Sequence, residues 1–97
     1  MTEQLFSSDF EVFGKVQGVF FRKYTKNRAV ELNLLGWCMN TAAGTVKGQI
    51  QGSVRQIQEM QHWLQNVGSP SSKVERAVFT APEKIDSPSF TSFKILH

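Results

Sequence analysis

The chain is poor in cysteine and in long apolar runs. Its one cysteine, Cys38, cannot form a disulfide within the chain, which is typical of a reducing compartment. None of its apolar runs reaches the roughly 18 residues that a membrane-spanning helix needs. The first twenty residues carry three acidic side chains and lack the apolar core of a secretory signal. We therefore expect a cytoplasmic location, no membrane span, and a single domain over residues 1–97.

Side chains for several common phosphate chemistries are also missing. The two histidines, His62 and His97, have no metal-ligand spacing, and no Gly-x-x-x-x-Gly-Lys-Ser/Thr segment for ATP is present. A cysteine phosphatase would carry its nucleophile six positions before Arg22, where this chain has Val16. Cys38 lies in a predicted strand and is interpreted as a structural thiol. We therefore expect neither a metal nor another cofactor.

Basic residues are concentrated in one stretch of the chain. The sequence has 11 basic and 8 acidic residues, and its net charge of +3 is too small to indicate nucleic-acid binding. Between residues 15 and 28, however, five basic side chains occur without an acidic one. Such a cluster is typical of a solvated helix face, and it also suits a site for a small anion.

Apolar periodicity predicts an alternation of strands and helices. The predicted elements are strand 10–13, helix 21–33, strand 35–40, strand 46–51, helix 53–67, and strands 74–80 and 90–96. The second helix opens with a capping-box pattern at Ser53 and Gln56. The order β-α-β-β-α-β, with a short extra strand at the C-terminus, predicts an α+β ferredoxin-like two-layer sandwich. Both helices should lie on one face of a mainly antiparallel sheet.

This topology brings distant polar residues to one edge of the sheet. The first two strands run parallel, so their C-terminal ends and the start of the first helix meet there. Arg22, in the first turn of that helix, and Asn40, at the end of the second strand, are therefore expected to be neighbours. The loop over residues 17–20 lies between them.

That loop and Arg22 together predict a phosphate site. A glycine-containing loop that enters a helix N-terminus presents unpaired backbone N–H groups at the positive end of the helix dipole. Helices usually carry acidic residues in the first turn, so Arg22 is locally unfavourable by a few tenths to about 1 kcal/mol. Its guanidinium can grip phosphate oxygens through two bonds, although an ordinary surface arginine remains the alternative.

The predicted site has a phosphate cradle and a polar amide, but no identifiable nucleophile, general base or metal. It suits a phosphate that is already activated, and acyl phosphates qualify because a carboxylate is a good leaving group. Such a reaction requires the phosphoryl oxygens to be neutralised and one water to be aimed at phosphorus. The amide of Asn40 offers both a donor and an acceptor with which to orient that water.

Two segments resemble a known family. Residues 14–22, Gly-Lys-Val-Gln-Gly-Val-Phe-Phe-Arg, are similar to the acylphosphatase signature G-x-V-Q-G-V-x-F-R. Residues 36–48 are similar to its second motif, G-W-V-x-N-x-x-x-G-x-V-x-G, with Cys38 where the motif usually has Val. We expect that departure to affect packing and not the mechanism. The resemblance covers essentially the whole chain. It implies a metal-independent cytosolic hydrolase that splits the carboxyl-phosphate bond of acyl phosphates.

The resemblance also implies a role for each matching residue. Arg22 resembles the catalytic arginine that binds phosphate, and Asn40 resembles the asparagine that orients the attacking water. Gly14 and Thr41 resemble supporting residues, or serve only the turns in which they lie. Inorganic phosphate or sulfate is the expected bound anion. The backbone N–H groups of the cradle would come from Gln17, Gly18, Val19, Phe20 and Phe21.

Two alternatives remain open. The same cradle could serve a non-catalytic module that binds an anion or carbamoyl phosphate, although a finished chain of 97 residues favours a free-standing enzyme. An RNA-binding domain is disfavoured because the third strand places Lys47, Gln49 and Gln51 on its open face. Trp37 and Trp63 fit core or core-edge positions better than a stacking platform. We expect a small-molecule partner, no nucleic acid, and a monomer.

Overall fold

The computed structural model describes residues 4–96, so His97 and residues 1–3 lie outside that range. Its elements are β1 (Leu5–Lys15), α1 (Phe21–Glu31), β2 (Leu35–Asn40), β3 (Val46–Gly52), α2 (Val54–Asn66), β4 (Lys73–Phe79), β5 (Glu83–Ile85) and β6 (Phe93–Ile95). The seven predicted elements are all present, and β5 is additional.

The strands form one sheet whose order is β4-β1-β3-β2-β6, and β5 pairs with the start of β1. All strand pairs are antiparallel except β2 with β6. Because β1 and β2 both run antiparallel to β3, they are parallel to each other. The two helices contact each other through Phe21 and Trp63, whose ring centroids are 5.9 Å apart. The ferredoxin-like sandwich with both helices on one face is therefore confirmed.

One hydrophobic core lies between the helices and the sheet. Alternate side chains of β1 and β3 face it, as the period of two predicts. Burying one such side chain fully stabilises the fold by roughly 1.5–3 kcal/mol. The core residues from these strands and from the helices are Phe10, Val12, Val46, Ile50, Phe21, Ala29, Ile57, Met60 and Leu64.

Local hydrogen bonds set the helix ends. α2 begins at the predicted capping box, in which Ser53 and Gln56 each accept a bond from the other's backbone N–H. α1 ends two residues before its predicted end because Asn33 has a left-handed backbone, with φ 59°. The N–H of Leu34 then bonds back to the carbonyl of Ala29, as in a Schellman cap. Within residues 4–96, neither helix is long and apolar enough to cross a membrane.

The strands differ most from the prediction at the start of β1, at the additional β5 and at β6. β1 begins at Leu5, five residues before its predicted start. The predicted strand began too late because Ser8 occupies a core-facing position where the pattern expects an apolar side chain. Ser8 is 1% exposed, and its hydroxyl donates to the carbonyl of Thr80 at 2.7 Å, so this polar residue is buried without an unpaired hydroxyl. β5 lies in the segment predicted to be turns, and β6 is shorter than the predicted strand 90–96.

The open face of the sheet also departs from the prediction at Gln51. Lys47 is exposed and Gln49 is half-buried, as expected, but Gln51 is only 4% exposed. The segment around Ser89 covers it, and the N–H of Ser89 donates to Gln51 Oε1 at 2.8 Å. The alternation of apolar and polar residues in a strand cannot predict that a distant loop will cover one of its polar residues.

The two tryptophans lie on opposite sides of the sheet. Trp63 packs at the edge of the helix-facing core, as predicted. Trp37 is half-buried on the open face, since its neighbour Cys38 points toward α1 and successive strand residues point to opposite faces. The expectation of a core or core-edge position therefore holds for Trp63 and is wrong for Trp37.

Candidate active site

The two predicted neighbours meet in one cavity. Arg22 and Asn40 both line a space of about 320 Å³ at the edge of the sheet, where β1 and β2 end and α1 begins. Gly18 and Phe20 of the intervening loop line it as well. Both polar side chains are half-buried, so each is held by the protein and still reaches the cavity. The placement expected from the topology is confirmed.

The loop between β1 and α1 leaves its backbone donors free. In the hydrogen-bond network of residues 4–96, the loop N–H groups predicted to bind phosphate donate to no protein acceptor. They lie at the N-terminus of α1, where the helix dipole is positive. This is the arrangement that binds phosphate or carboxylate groups in many proteins. These N–H groups belong to Gln17, Gly18, Val19, Phe20 and Phe21.

Ser69 fixes the direction of one loop peptide, a role that could not be predicted from the sequence pattern. Its hydroxyl is buried and donates to the carbonyl of Val19 at 2.8 Å, across fifty positions of sequence. No peptide bond within residues 4–96 is cis, and a trans peptide points its C=O and N–H in opposite directions. The bond to Ser69 therefore turns the N–H of Phe20 away from Ser69. Its sequence signal is Gly-Ser-Pro at residues 68–70, a combination that is typical of the end of a helix.

Gln17 connects the loop to the turn that follows Asn40. Its side-chain Nε2 donates to the carbonyls of Thr41 and Thr45, at 3.0 and 2.9 Å. The prediction used only the backbone N–H of Gln17, whereas its side chain fixes the distance between the two halves of the site. No periodicity reveals such a bond, because it joins two loops.

Thr41 lies at the centre of a hydrogen-bond network in the β2–β3 turn. Its Oγ1 accepts from the N–H groups of Ala43 and Thr45, both at 3.2 Å. The hydroxyl of Thr45 donates to Glu11 Oε2 at 2.6 Å, and Thr41 Oγ1 lies 2.6 Å from Thr45 Oγ1. With the Thr45 proton committed to Glu11, Thr41 must donate to Thr45. The network holds the turn immediately after Asn40.

Asn40 carries the most unusual polar atom of the site. Within residues 4–96, its side-chain Oδ1 is buried and accepts no hydrogen bond. Buried carbonyl oxygens are normally paired, so each exception calls for a physical explanation. Asn40 lines the same cavity as Arg22, and because no protein donor holds its side-chain oxygen, the amide is free to turn toward a group that enters with a proton to donate.

Cys38 lies beneath the site and is unsuited to nucleophilic chemistry. Its side chain is fully buried, and its sulfur lies 3.9 Å from the backbone carbonyl of Arg22. Burial raises the pKa of the thiol to about 12, against the opposing positive charges of Arg22 and Lys26. A thiol that keeps its proton is a poor nucleophile, which agrees with the predicted structural role.

Gly14 lets the end of β1 approach β4 more closely than any other residue could. Its φ is 127°, and a Cβ atom built there would lie 2.1 Å from the carbonyl oxygen of Lys73. The register between β1 and β4 shifts at this point, after Phe13. The position therefore shapes the entry to the loop between β1 and α1, and it does not line the cavity.

The open face of the sheet carries a larger cavity, of about 450 Å³, with different chemistry. Its acidic side chains already have partners, since Gln49 donates to Asp9 and Thr45 donates to Glu11. Within residues 4–96, no three histidine, cysteine, aspartate or glutamate side chains come together as metal ligands would. The smaller cavity is the one that combines a guanidinium, free backbone donors and an unpaired acceptor.

The chain matches known proteins over nearly its whole length. A family model described as acylphosphatase matches residues 8–95. Acylphosphatase-1 of Gallus gallus is 50% identical over 94 residues, which are 97% of this chain and 95% of the relative. Acylphosphatase-2 of Mus musculus is 48% identical over 95 residues, 98% of this chain and 90% of the relative.

A solved structure agrees with these relatives. The structure of an acylphosphatase from Coxiella burnetii superposes with a TM-score of 0.84 at 31% identity, covering 99% of this chain and 100% of that one. The sequence relatives and the structural neighbour thus indicate the same family, and the geometry of the site is compatible with it. The chain belongs to the acylphosphatase family.

Proposed function

We propose that this enzyme hydrolyses the carboxyl-phosphate bond of small acyl phosphates, with Arg22 and the loop backbone binding the phosphoryl group and Asn40 orienting water. The observation that carries the proposal is that Arg22 and Asn40 line one cavity, and that no protein donor pairs with the side-chain oxygen of Asn40. An unpaired buried acceptor costs about 1–3 kcal/mol in a folded protein. A water held for attack would satisfy that acceptor once the amide of Asn40 turns toward the cavity.

The phosphoryl group would bind to one side-chain charge and several backbone donors. The guanidinium of Arg22 can donate two parallel bonds to phosphoryl oxygens and neutralise part of their charge. The N–H groups of residues 17–21 add bonds at the positive end of α1. Because Ser69 holds the Val19–Phe20 peptide in place, at least one of these donors is oriented before the substrate arrives. Donors oriented in advance stabilise developing charge without a reorganisation cost.

The reaction would be a single in-line displacement. The water oxygen forms a bond to phosphorus as the bond between phosphorus and the carboxylate oxygen breaks, and the carboxylate leaves with the electron pair. The water proton passes to a phosphoryl oxygen, so the products are a carboxylate and inorganic phosphate. Asn40 Oδ1 accepts a bond from the attacking water, which limits the water to orientations that aim its lone pair at phosphorus.

We also propose where the enzyme acts, in what oligomeric state, and without which cofactors. Residues 1–97 act as one acylphosphatase domain, a cytoplasmic monomer that needs no metal or other cofactor and binds inorganic phosphate or sulfate in its loop. A single core and a buried, unpaired Cys38 support this setting. Relatives named as acylphosphatases favour catalysis over a non-catalytic module for an anion or carbamoyl phosphate.

Turnover of benzoyl phosphate in excess chelator, beside p-nitrophenyl phosphate, tests the proposal. We expect cleavage of the acyl phosphate only. Arg22→Gln should lower kcat/KM by about 10²–10³-fold and weaken inhibition by inorganic phosphate, because the charged fork is lost. Asn40→Ala should lower kcat by about a hundredfold with little change in KM, because orienting water matters mainly in the transition state.

Two exposed residues of α1 outside the cavity provide matched controls. Lys26→Gln removes the same charge as Arg22→Gln, and Asn27→Ala removes the same amide as Asn40→Ala. Both should stay within about twofold of wild type, as surface changes usually do. A folded wild type that binds phosphate but cleaves nothing would identify a binding module instead. A pure KM effect of Asn40→Ala would contradict its role toward water.

A further inference from the structure

Phe20 violates three local preferences at once. It occupies the N-cap of α1 without providing a side-chain cap, a position that favours Ser, Thr, Asp or Asn. Its backbone is left-handed, with φ 58° and ψ 23°, a conformation that favours Gly or Asn. Its ring is 73% exposed, so folding buries little of this large apolar surface. The fold gains little from a phenylalanine here, and residues that break local rules tend to mark functional sites.

The ring lies where it can reach a bound substrate. Phe20 lines the cavity that holds Arg22 and Asn40, and its own backbone N–H is one of the free donors of the loop. The apolar side chains Val16 and Phe21 also line the cavity, but both are almost completely buried. The accessible apolar surface of the cavity therefore comes from Phe20 and from the half-buried Ile95.

We propose that Phe20, with Ile95 beside it, binds the acyl group of the substrate and selects apolar and aromatic acyl phosphates. This rests on the proposed function, in which the loop and Arg22 hold the phosphoryl group. Once phosphate oxygens occupy the loop, the part of the molecule beyond them is the acyl group. A phenyl or branched alkyl group can then cover the exposed ring, while the methyl of acetyl phosphate covers far less of it.

The size of the cavity agrees with a small acyl group. A volume of about 320 Å³ lies at the lower end of the range for small-molecule sites. Contact with one ring also sets a modest selectivity, since a pair of aromatic rings contributes only about a three- to tenfold preference. Phe20 is therefore a specificity-determining residue and leaves the displacement at phosphorus to other groups.

The test compares kcat/KM for benzoyl phosphate with kcat/KM for acetyl phosphate. In Phe20→Ala and in Phe20→Asn, whose side chain suits the left-handed backbone, the benzoyl-to-acetyl ratio should fall roughly three- to tenfold. Phe20→Tyr keeps the ring and should keep the ratio. The control Val30→Ala removes another exposed apolar side chain, 56% exposed and on the same helix, and should also keep the ratio.

Inhibition by inorganic phosphate separates selection from loop structure. The variants keep the backbone N–H groups, so phosphate inhibition should stay within about twofold of wild type. An unchanged ratio in Phe20→Ala would overturn the inference. A parallel loss toward both substrates and phosphate would also overturn it, because the ring would then act on the shape of the loop. A wild type that cleaves neither substrate would overturn the proposed function itself.

Discussion

The hydrogen bond from Ser69 to Val19 should affect both the free energy of unfolding and the binding of phosphate, and the two effects can be measured separately. Ser69→Ala removes a buried donor and leaves the carbonyl of Val19 without a partner. Leaving a buried acceptor unpaired costs about 1–3 kcal/mol, so the free energy of unfolding should fall by that amount. The Val19–Phe20 peptide also loses its anchor, and one phosphate donor is no longer held in place.

Ser8→Ala is the matched control for this change. Ser8 is equally buried, and its hydroxyl donates to the carbonyl of Thr80 at 2.7 Å, over a similarly long stretch of sequence. It lies seven residues before the end of β1, and at about 3.3 Å per residue that places it roughly 23 Å from the phosphate loop. Both variants should lose free energy of unfolding, which chemical denaturation measures, and Ser8→Ala should lose less because Thr80 is exposed and its freed carbonyl can bond to water.

Only Ser69→Ala should affect the phosphate site. If releasing the peptide costs about 1 kcal/mol on binding, the inhibition constant of inorganic phosphate should rise about fivefold. Ser8→Ala should leave that constant unchanged, because its hydroxyl touches no part of the cavity. Equal phosphate inhibition in the two variants would refute the idea that Ser69 orients the loop.

Two further predictions concern Gly14 and Cys38. Gly14→Ala should destabilise the protein by about 2–4 kcal/mol, because its Cβ would meet the carbonyl of Lys73. The control Gly44→Ala, with φ 87° and open space around it, should cost only about 1–2 kcal/mol of backbone strain. Equal melting temperatures of the two variants would contradict the clash. Cys38→Val should keep wild-type turnover, and thiol-blocking reagents should do little to the folded wild-type enzyme. The pKa of the Cys38 thiol is about 12 in the folded protein and 9.0 in the unfolded chain. Between pH 9 and 12 the unfolded chain therefore loses this proton while the folded protein keeps it. Over that range the stability of the wild type should decline more steeply than that of Cys38→Val. Parallel stability curves over that range would show that burial does not shift this pKa.

The placement of the two catalytic candidates could be predicted from sequence because it follows from topology. A split β-α-β unit brings the ends of β1 and β2 and the start of α1 together, whatever the side chains are. Arg22 and Asn40 occupy those ends, so their meeting in one cavity required only the element order.

The supports of the site could not be predicted in that way. Ser69 and the side chain of Gln17 act through hydrogen bonds to carbonyls of distant loops. None of these bonds imposes a periodicity on the sequence. The start of β1 was hidden for a related reason, since Ser8 breaks the apolar alternation while its hydroxyl is satisfied by Thr80. In each case a polar side chain is at least half-buried, and partners remote in sequence complete its hydrogen bonds.

The pairing of its carbonyls makes this loop suited to bind an anion. Every backbone unit brings one donor and one acceptor, and a segment attracts anions when its acceptors are occupied and its donors are free. Here Ser69 occupies the carbonyl of Val19, and the N–H of Tyr24 occupies that of Phe20, at 3.1 Å. The loop N–H groups remain available, so the segment presents positive potential even without Arg22. Phosphate binding should therefore weaken in Arg22→Gln without vanishing, whereas catalysis also depends on the charge and on Asn40.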